Sequence, residues 1–257
     1  MTSDEPFRGD RDYGVTDNAS DISHVLAVIL AGGLGTRLRS VVADRPKVLA
    51  EIHGRPFLSY LLDHLEAAGF RSALLCTGYL GEQIEQQFGT QFGSLRLSYS
   101  EEPRPLGTAG ALRLALPLVN SNPVLVMNGD TFAAGDLCAF WQWRCSKQPR
   151  AAIMLSRVND CRRYGSLTVD SDGAVLEFRE KGKDLGPGWI NAGVYFFAHE
   201  VIEMIPDNKP VSLEYDVFPK LVGRGLYAFP SEGRFLDIGT PEDFASAESF
   251  FSERVCR

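Results

Sequence analysis

The chain has 257 residues, 44% of them hydrophobic and 23% charged, the make-up of an ordinary globular protein long enough for one large domain. A formal net charge of -7 argues against a nucleic-acid partner, which would favour a basic face, but leaves room for a local basic pocket. No apolar run reaches the length of a membrane span, and the five cysteines, none in a C-x-x-C pair, read as reduced thiols of a cytoplasmic protein.

Residues 1–23 are polar, mostly acidic among their charges and without period, so a disordered extension is expected there. It lacks the basic start and apolar core of a secretory signal. Residues 25–31 form an apolar run that reads as a buried parallel strand. The run breaks into Gly32-Gly33-Leu34-Gly35, followed by Thr36, Arg37 and Arg39. Bare glycines let backbone N–H groups approach a ligand, and a guanidinium beside them suits a phosphate. Neither the dinucleotide fingerprint nor the P-loop pattern fits: Leu38 stands where the third fingerprint glycine should be, and no Gly-Lys-Ser/Thr follows.

Lys47 follows Pro46, about a dozen residues beyond the glycines, as a candidate second phosphate contact. A turn at residues 53–56 leads to a helix with Phe57, Leu58, Leu61, Leu62 and Leu65 on one face, ending at Gly69. Residues 72–77 read as a strand, 81–88 as a short helix and 95–99 as a half-buried strand. This β, α, β, α, β order argues for a doubly wound, mostly parallel sheet.

A second glycine-bearing loop, Glu101-Glu102-Pro-Arg-Pro-Leu-Gly107-Thr108-Ala109-Gly110, opens a helix running to about residue 116. Its small residues would let a flat ring pack on the backbone, with Thr108 as the helix cap. Residues 123–128 are strongly apolar and end in Gly129-Asp130, an aspartate placed where open α/β sheets bind ligands and where Mg²⁺ finds oxygen donors. A helix over 136–148 carries Leu137, Phe140, Trp141 and Trp143, read as core. From residue 151 the texture turns strand-rich, with candidates over 152–156, 165–169, 174–178 and 189–197, and a hairpin turn at Asp172-Gly173. Residues 214–221 read as helical. A strand ending in Asp237 precedes a last helix with Thr240 as cap and Pro241 at its first position. The histidines His24, His53, His64 and His199 are scattered without ligand spacing, so neither a zinc site nor a Ser-His-Asp triad is expected.

Taken in order, the glycine turn with Arg37, Pro46-Lys47, the Leu-Gly-Thr-Ala-Gly loop, Asp130, Glu180-Lys181, Asn191-Ala-Gly193 and Phe235-Leu-Asp-Ile-Gly-Thr-Pro241 resemble the sugar-1-phosphate nucleotidyltransferases. The resemblance spans about residues 24–252. It implies the nucleotide-diphospho-sugar transferase fold: one Rossmann-like α/β domain, with a nucleotide-binding half over 24–150 and a strand-rich sugar-binding half over 151–252. The implied reaction joins a nucleoside triphosphate to a sugar 1-phosphate and releases pyrophosphate. Such chemistry needs two anions brought together and their charge offset.

By resemblance, Arg37, Lys47 and Lys181 are catalytic, with Lys181 holding the sugar phosphate. Ala31, Gly32, Gly33, Gly35, Thr36, Gly107, Thr108 and Gly110 bind the nucleotide, and the hydrogen-bond chemistry of guanine adds Glu102 to them. Gly165, Glu180, Asn191 and Gly193 take sugar hydroxyls, and Asp130 and Asp237 hold Mg²⁺. The stretches Leu38-Arg-Ser-Val-Val42, Arg55-Pro-Phe-Leu-Ser-Tyr-Leu-Leu-Asp63 and Ser212-Leu-Glu-Tyr-Asp-Val-Phe-Pro219 are most similar to the D-glycero-α-D-manno-heptose 1-phosphate guanylyltransferases, so GTP is the favoured nucleotide. A carboxylate at Glu101 or Glu102 could accept from guanine N1 and N2. Many thymidylyltransferases carry Pro-Thr after the Arg-Leu, where this chain has Arg39-Ser40. Mannose 1-phosphate guanylyltransferases usually add a C-terminal domain for which this sequence leaves no room. Mannose 1-phosphate guanylyl transfer, or thymidylyl, cytidylyl or uridylyl transfer to glucose 1-phosphate, are the alternatives. A non-catalytic nucleotide-sugar sensor is the alternative of another class. Family members are often dimers or tetramers, but no stretch marks an interface. A GDP-heptose product would supply capsule, lipopolysaccharide or surface-layer glycan synthesis.

Overall fold

The computed structural model describes residues 21–33, 35, 37–38, 44–179 and 186–252. In chain order the strands are β1 (Ala27–Leu30), β2 (Glu51–Ile52), β3 (Arg55–Pro56), β4 (Ser72–Thr77), β5 (Gln91–Phe92), β6 (Leu95–Glu101), β7 (Val124–Asn128), β8 (Thr131–Ala133), β9 (Ala151–Val158), β10 (Ser166–Val169), β11 (Val175–Arg179), β12 (Gly188–Phe197), β13 (Leu226–Ser231) and β14 (Phe235–Asp237). The α-helices are α1 (Phe57–Ala67), α2 (Gly81–Phe88), α3 (Gly107–Ala115), α4 (Leu137–Lys147), α5 (His199–Glu203), α6 (Phe218–Leu221) and α7 (Pro241–Ser252).

A ten-stranded sheet organises the molecule. Its first half is parallel apart from the edge: β1 lies between β4 and β7, β4 pairs in turn with β6, and β5 is antiparallel to β6. The residues of β1 alternate between two cores. Ala27 and Ile29 join α1, α4 and α7 on one face, while Val28 packs with α3, α5 and α6 on the other. Both faces are covered, which is why β1 reads as unbroken apolar sequence rather than alternation. The same two-sided burial explains Ala73-Leu-Leu-Cys76 in β4 and Val124-Leu-Val-Met127 in β7.

Beyond β7 the sheet changes sense. β12 runs antiparallel to β7 through Val194–Phe197, antiparallel to β9 on its other edge, and meets β10 near Ile190. β13 completes that side, parallel to β9. The mostly parallel α/β expectation therefore holds for the first half, and the strand-rich second half extends it with antiparallel pairs. The register of β12 against β9 shifts between Asn191 and Tyr195, with Gly193 at φ +74°. At this bulge the Asn191 side chain accepts from the Gly193 N–H at 2.9 Å.

Several local expectations need correction. Ile22 is buried against the main core, so the ordered domain already includes residues 21–23; residues 1–20 of the expected extension lie outside the described residues. The turn read at residues 53–56 is the tip and return arm of the small β2–β3 hairpin. The helix expected over 214–221 starts as a π-helical turn, Leu213–Val217, and becomes α only at Phe218. Thr108 does not cap α3: Leu106 holds the N-cap position without a side-chain cap, and the Ala109 and Gly110 N–H groups donate to the Val211 carbonyl instead. Asp136 and Thr240 do cap their helices, accepting from Ala139 N–H at 2.9 Å and Asp243 N–H at 3.3 Å.

Candidate active site

Parallel strands deliver their carboxyl ends to one edge of the sheet, where ligands of open α/β folds bind. There a cavity of about 520 Å³ opens among the loops that follow β1, β6 and β7. Gly129 lets β7 crowd β1, since a Cβ there would stand 2.6 Å from the Leu30 carbonyl oxygen. The chain then turns back as β8, which pairs antiparallel with β14 so that Thr131 faces Asp237. The Ile238 N–H donates to the Asp130 carbonyl at 3.0 Å. This short ladder brings together two aspartates that are far apart in sequence.

Lys47 stands between them. Pro46 precedes a one-turn 3₁₀ helix, Lys47–Leu49, anchored by buried Val48 and Leu49. The Lys47 Nζ lies 2.8 Å from Asp130 Oδ2 and 3.9 Å from Asp237 Oδ1, with the lysine side chain only 10% exposed. Burial, reinforced by the charge of Asp130, holds the Asp237 carboxyl above the usual carboxylate range; Lys47 and the Gly239 N–H oppose the rise. An ammonium and two carboxylates thus sit within a few ångströms of one another at the cavity wall. Among the described residues no group of three or more potential metal-ligating side chains occurs. Two carboxylates are nevertheless what Mg²⁺ commonly takes from a protein when phosphates and water supply the rest.

The glycine turn forms the adjoining wall. Ala31, Gly32, Gly33, Gly35 and Arg37 all line the cavity. A Cβ at Gly33 would meet nothing within 4 Å, whereas one at Gly32 would stand 2.7 Å from Glu102 Oε1. Gly32 and Gly78 make room for the Glu102 side chain, whose Oε2 accepts from the Leu106 N–H at 2.8 Å. Burial pushes the Glu102 carboxyl up, partly offset by that N–H. Glu102 faces the cavity, and Glu101 is not among its lining residues.

Of the other expected site residues, Gly107, Thr108, Gly165 and Asn191 also line the cavity. Gly110 and Gly193 do not. A Cβ at Gly110 would stand 2.8 Å from the Lys209 carbonyl oxygen, and one at Gly193 would stand 2.6 Å from Thr131 Oγ1. Both glycines are small because protein packs on them, and the Gly193 N–H is already bonded to Asn191. Thr36, Glu180 and Lys181 lie outside the described residues. The cavity also recruits Tyr164, Phe178, Glu214, Tyr215 and Phe235, which sequence reasoning had not placed there. Tyr164 meets Phe235 edge-on, ring centroids 5.3 Å apart, next to Asp237. The similarity of residues 212–219 to the heptose enzymes was the only signal that pointed towards Glu214.

A glycine turn at the end of the central strand, a lysine held by two aspartates and a carboxylate at the head of the next loop define an α/β domain for handling phosphorylated ligands. Comparison with known proteins gives the class its family. The chain belongs to the nucleotidyl transferase family, whose model matches residues 26–254. It is 36% identical to the D-glycero-alpha-D-manno-heptose 1-phosphate guanylyltransferase of Aneurinibacillus thermoaerophilus over 86% of this chain and 96% of the relative. It is equally, 36%, identical to the mannose-1-phosphate guanylyltransferase of Mycobacterium tuberculosis, over 85% of this chain but 62% of that protein. Among solved structures, HddC from Yersinia pseudotuberculosis complexed with GMP-PN superposes with a TM-score of 0.77 at 36% identity, covering 88% of this chain and 99% of the other. The membership expected from the motifs is thereby shown.

Proposed function

We propose that the chain transfers the guanylyl group of GTP to D-glycero-α-D-manno-heptose 1-phosphate, forming GDP-heptose and pyrophosphate. The observation that carries this reading is the convergence of Lys47, Asp130 and Asp237 beside the open glycine turn, inside a family of nucleotidyl transferases. The guanylyl choice is supported by the names of the relatives and by the GMP-PN-bound neighbour. The heptose choice is supported by a relative of which the chain spans 96%.

In this reading a sugar-phosphate oxygen attacks the α-phosphorus in line, and pyrophosphate leaves. The Gly32–Gly35 backbone and Arg37 hold the triphosphate and steady the departing pyrophosphate. Lys47, already ordered by Asp130, neutralises charge at the reacting centre. Glu102 accepts from guanine N1 and N2 through the carboxylate that Gly32 accommodates, and Gly107 and Thr108 flank the nucleoside. Asn191 and the Gly165 backbone face sugar hydroxyls. Glu180 and Lys181 keep the sugar and sugar-phosphate roles that the resemblance implies. Asp130 and Asp237 are the residues that would hold Mg²⁺, which when bound offsets charge on the nucleotide phosphates. Their fit rests on two oxygen-donor side chains brought together and on the raised Asp237 carboxyl, which a cation beside it would relieve. The enzyme would work in the cytoplasm and supply surface-glycan assembly. Among the described residues no helix is long and apolar enough to cross a membrane.

The test is pyrophosphate release with Mg²⁺, crossing GTP, dTTP, UTP, CTP and ATP against heptose, mannose and glucose 1-phosphates. Release confined to GTP with the heptose phosphate is the expected result. Preference for mannose 1-phosphate, the substrate in the name of an equally similar relative, would move the sugar assignment. No release with any pair would overturn the catalytic reading.

A further inference from the structure

Among the described residues Glu214 has no counter-ion, in a cavity expected to take up phosphates. It lines that cavity, and no lysine or arginine among the described residues stands within ion-pair distance of it. Its position is nevertheless tightly defined. The π-helical turn Leu213–Val217 is capped by Ser212, whose Oγ accepts from the Glu214 N–H at 3.1 Å and the Tyr215 N–H at 3.2 Å. Single π-turns are uncommon and recur at functional sites. The Leu213 N–H donates to Thr108 Oγ1 at 2.8 Å. Both hydroxyls then turn their protons to one carboxylate oxygen: Ser212 Oγ donates to Glu214 Oε2 at 2.8 Å and Thr108 Oγ1 at 3.2 Å. The other oxygen, Oε1, takes no hydrogen bond from any described residue.

A carboxylate held in this way would repel a phosphate. It suits a neutral, donor-rich part of the ligand. Guanine has such donors, but Glu102 is the carboxylate at the head of the nucleotide loop. Glu214 also acts on β12: its charge, after burial, is the next cause pushing the Tyr195 phenol well above its ordinary range. The Tyr195 hydroxyl in turn accepts from Asn191 Nδ2 at 2.9 Å. We infer that Glu214 is a specificity-determining residue whose Oε1 accepts hydrogen bonds from ring hydroxyls of the sugar 1-phosphate, with Ser212 and Thr108 as its positioning residues. The inference rests on the nucleotidyl-transfer reading above.

The experiment measures steady-state kinetics of wild type, Glu214→Gln and Ser212→Ala, with thermal midpoints to confirm folding. Substrates are GTP and whichever sugar 1-phosphate the wild type accepts, together with its monodeoxy analogues. Losing a charged acceptor should raise KM for the sugar phosphate about tenfold in Glu214→Gln, with KM for GTP within about twofold. Ser212→Ala keeps the charge but loosens it, so a smaller rise in the same constant is expected. One deoxy analogue should be used equally well by wild type and Glu214→Gln, since without that hydroxyl the charge at residue 214 has no hydrogen bond to strengthen. An unchanged sugar-phosphate KM, or no analogue on which the two proteins converge, overturns the inference while wild-type turnover keeps the reaction. A rise in KM for GTP alone assigns the carboxylate to the ribose and also overturns it. A wild type that turns over no sugar phosphate removes the reading and the inference together.

Discussion

The two glycine loops that face the cavity look alike in sequence and differ in kind. At the turn after β1, Gly33 opens onto empty space, and Gly32 leaves room for the Glu102 carboxylate. At the head of α3, Gly107 has φ +73° and its missing Cβ would stand 2.6 Å from the Val211 carbonyl oxygen, while Gly110 abuts Lys209. The first loop is open at Gly33, and the second is bare because the segment at residues 209–211 lies on it. A glycine beside a site is evidence of close approach, and only the structure says what approaches.

The comparison can be broken most directly at the first loop's partner lysine. Lys47→Ala should lower kcat about 100- to 1000-fold, the scale of losing one charge-stabilising donor at a reacting centre, measured as pyrophosphate release. Asp130→Ala should do likewise, and near-normal turnover would remove Asp130 from the metal role. The second loop should answer in stability. Gly107→Ala combines a left-handed φ with a backbone clash, so a loss of about 3 kcal/mol is expected, seen as a melting midpoint roughly 6–12 °C lower. Gly33→Ala sharpens the contrast: its midpoint should stay within about 2 °C of wild type while KM for the nucleotide rises about tenfold. If Gly33→Ala unfolds the protein, or Gly107→Ala leaves it stable, the distinction between the loops fails.

The smallest effect concerns Asp237. Its carboxyl, raised from an ordinary 3.8 by burial and by Asp130, binds protons at higher pH in the native state than in the unfolded chain. Native stability therefore falls as pH rises from about 4 through the raised value, and the deficit persists at neutrality. Asp237→Asn should melt of the order of 2 °C higher than wild type at pH 7, with the gap closing below about pH 4, while activity is lost. Calorimetry across pH checks the sign.

Much of this was legible in the sequence where local rules apply. Strands β1, β4 and β7 declare themselves because burial on both faces leaves continuous apolar runs. Thr240 announces a helix start through cap chemistry. What was not legible depends on partners distant in the chain. The meeting of Asp130 with Asp237, which only the family resemblance implied, is made by three-residue strands, β8 and β14, too short to carry a period. Thr108 carries the signature of a cap, yet its hydroxyl serves Leu213 and Glu214 more than a hundred residues away, and the Val211 carbonyl does the capping. The family resemblance made Gly193 a sugar contact, but it lies off the cavity, at the register shift of β12 between two strand partners. The pattern as a whole pointed to the family; the division of labour among its small residues did not follow from it.

The contact between Lys47 and Asp130 has an entropic side. A free lysine side chain carries about 2 kcal/mol of rotamer freedom that must be surrendered when it is fixed against a ligand. Here the chain surrenders it on folding: the stem is enclosed, the ammonium is tethered at 2.8 Å, and a Cβ added to Gly35 would already stand 3.4 Å from that stem. In the proposed reaction an incoming phosphate would meet a lysine whose stem is already ordered, so little affinity would be spent on ordering it. The opposing demand is that the phosphate must compete with Asp130 for the same proton donors. The residue that orders the lysine therefore also sets how strongly charged a ligand must be before the lysine turns towards it.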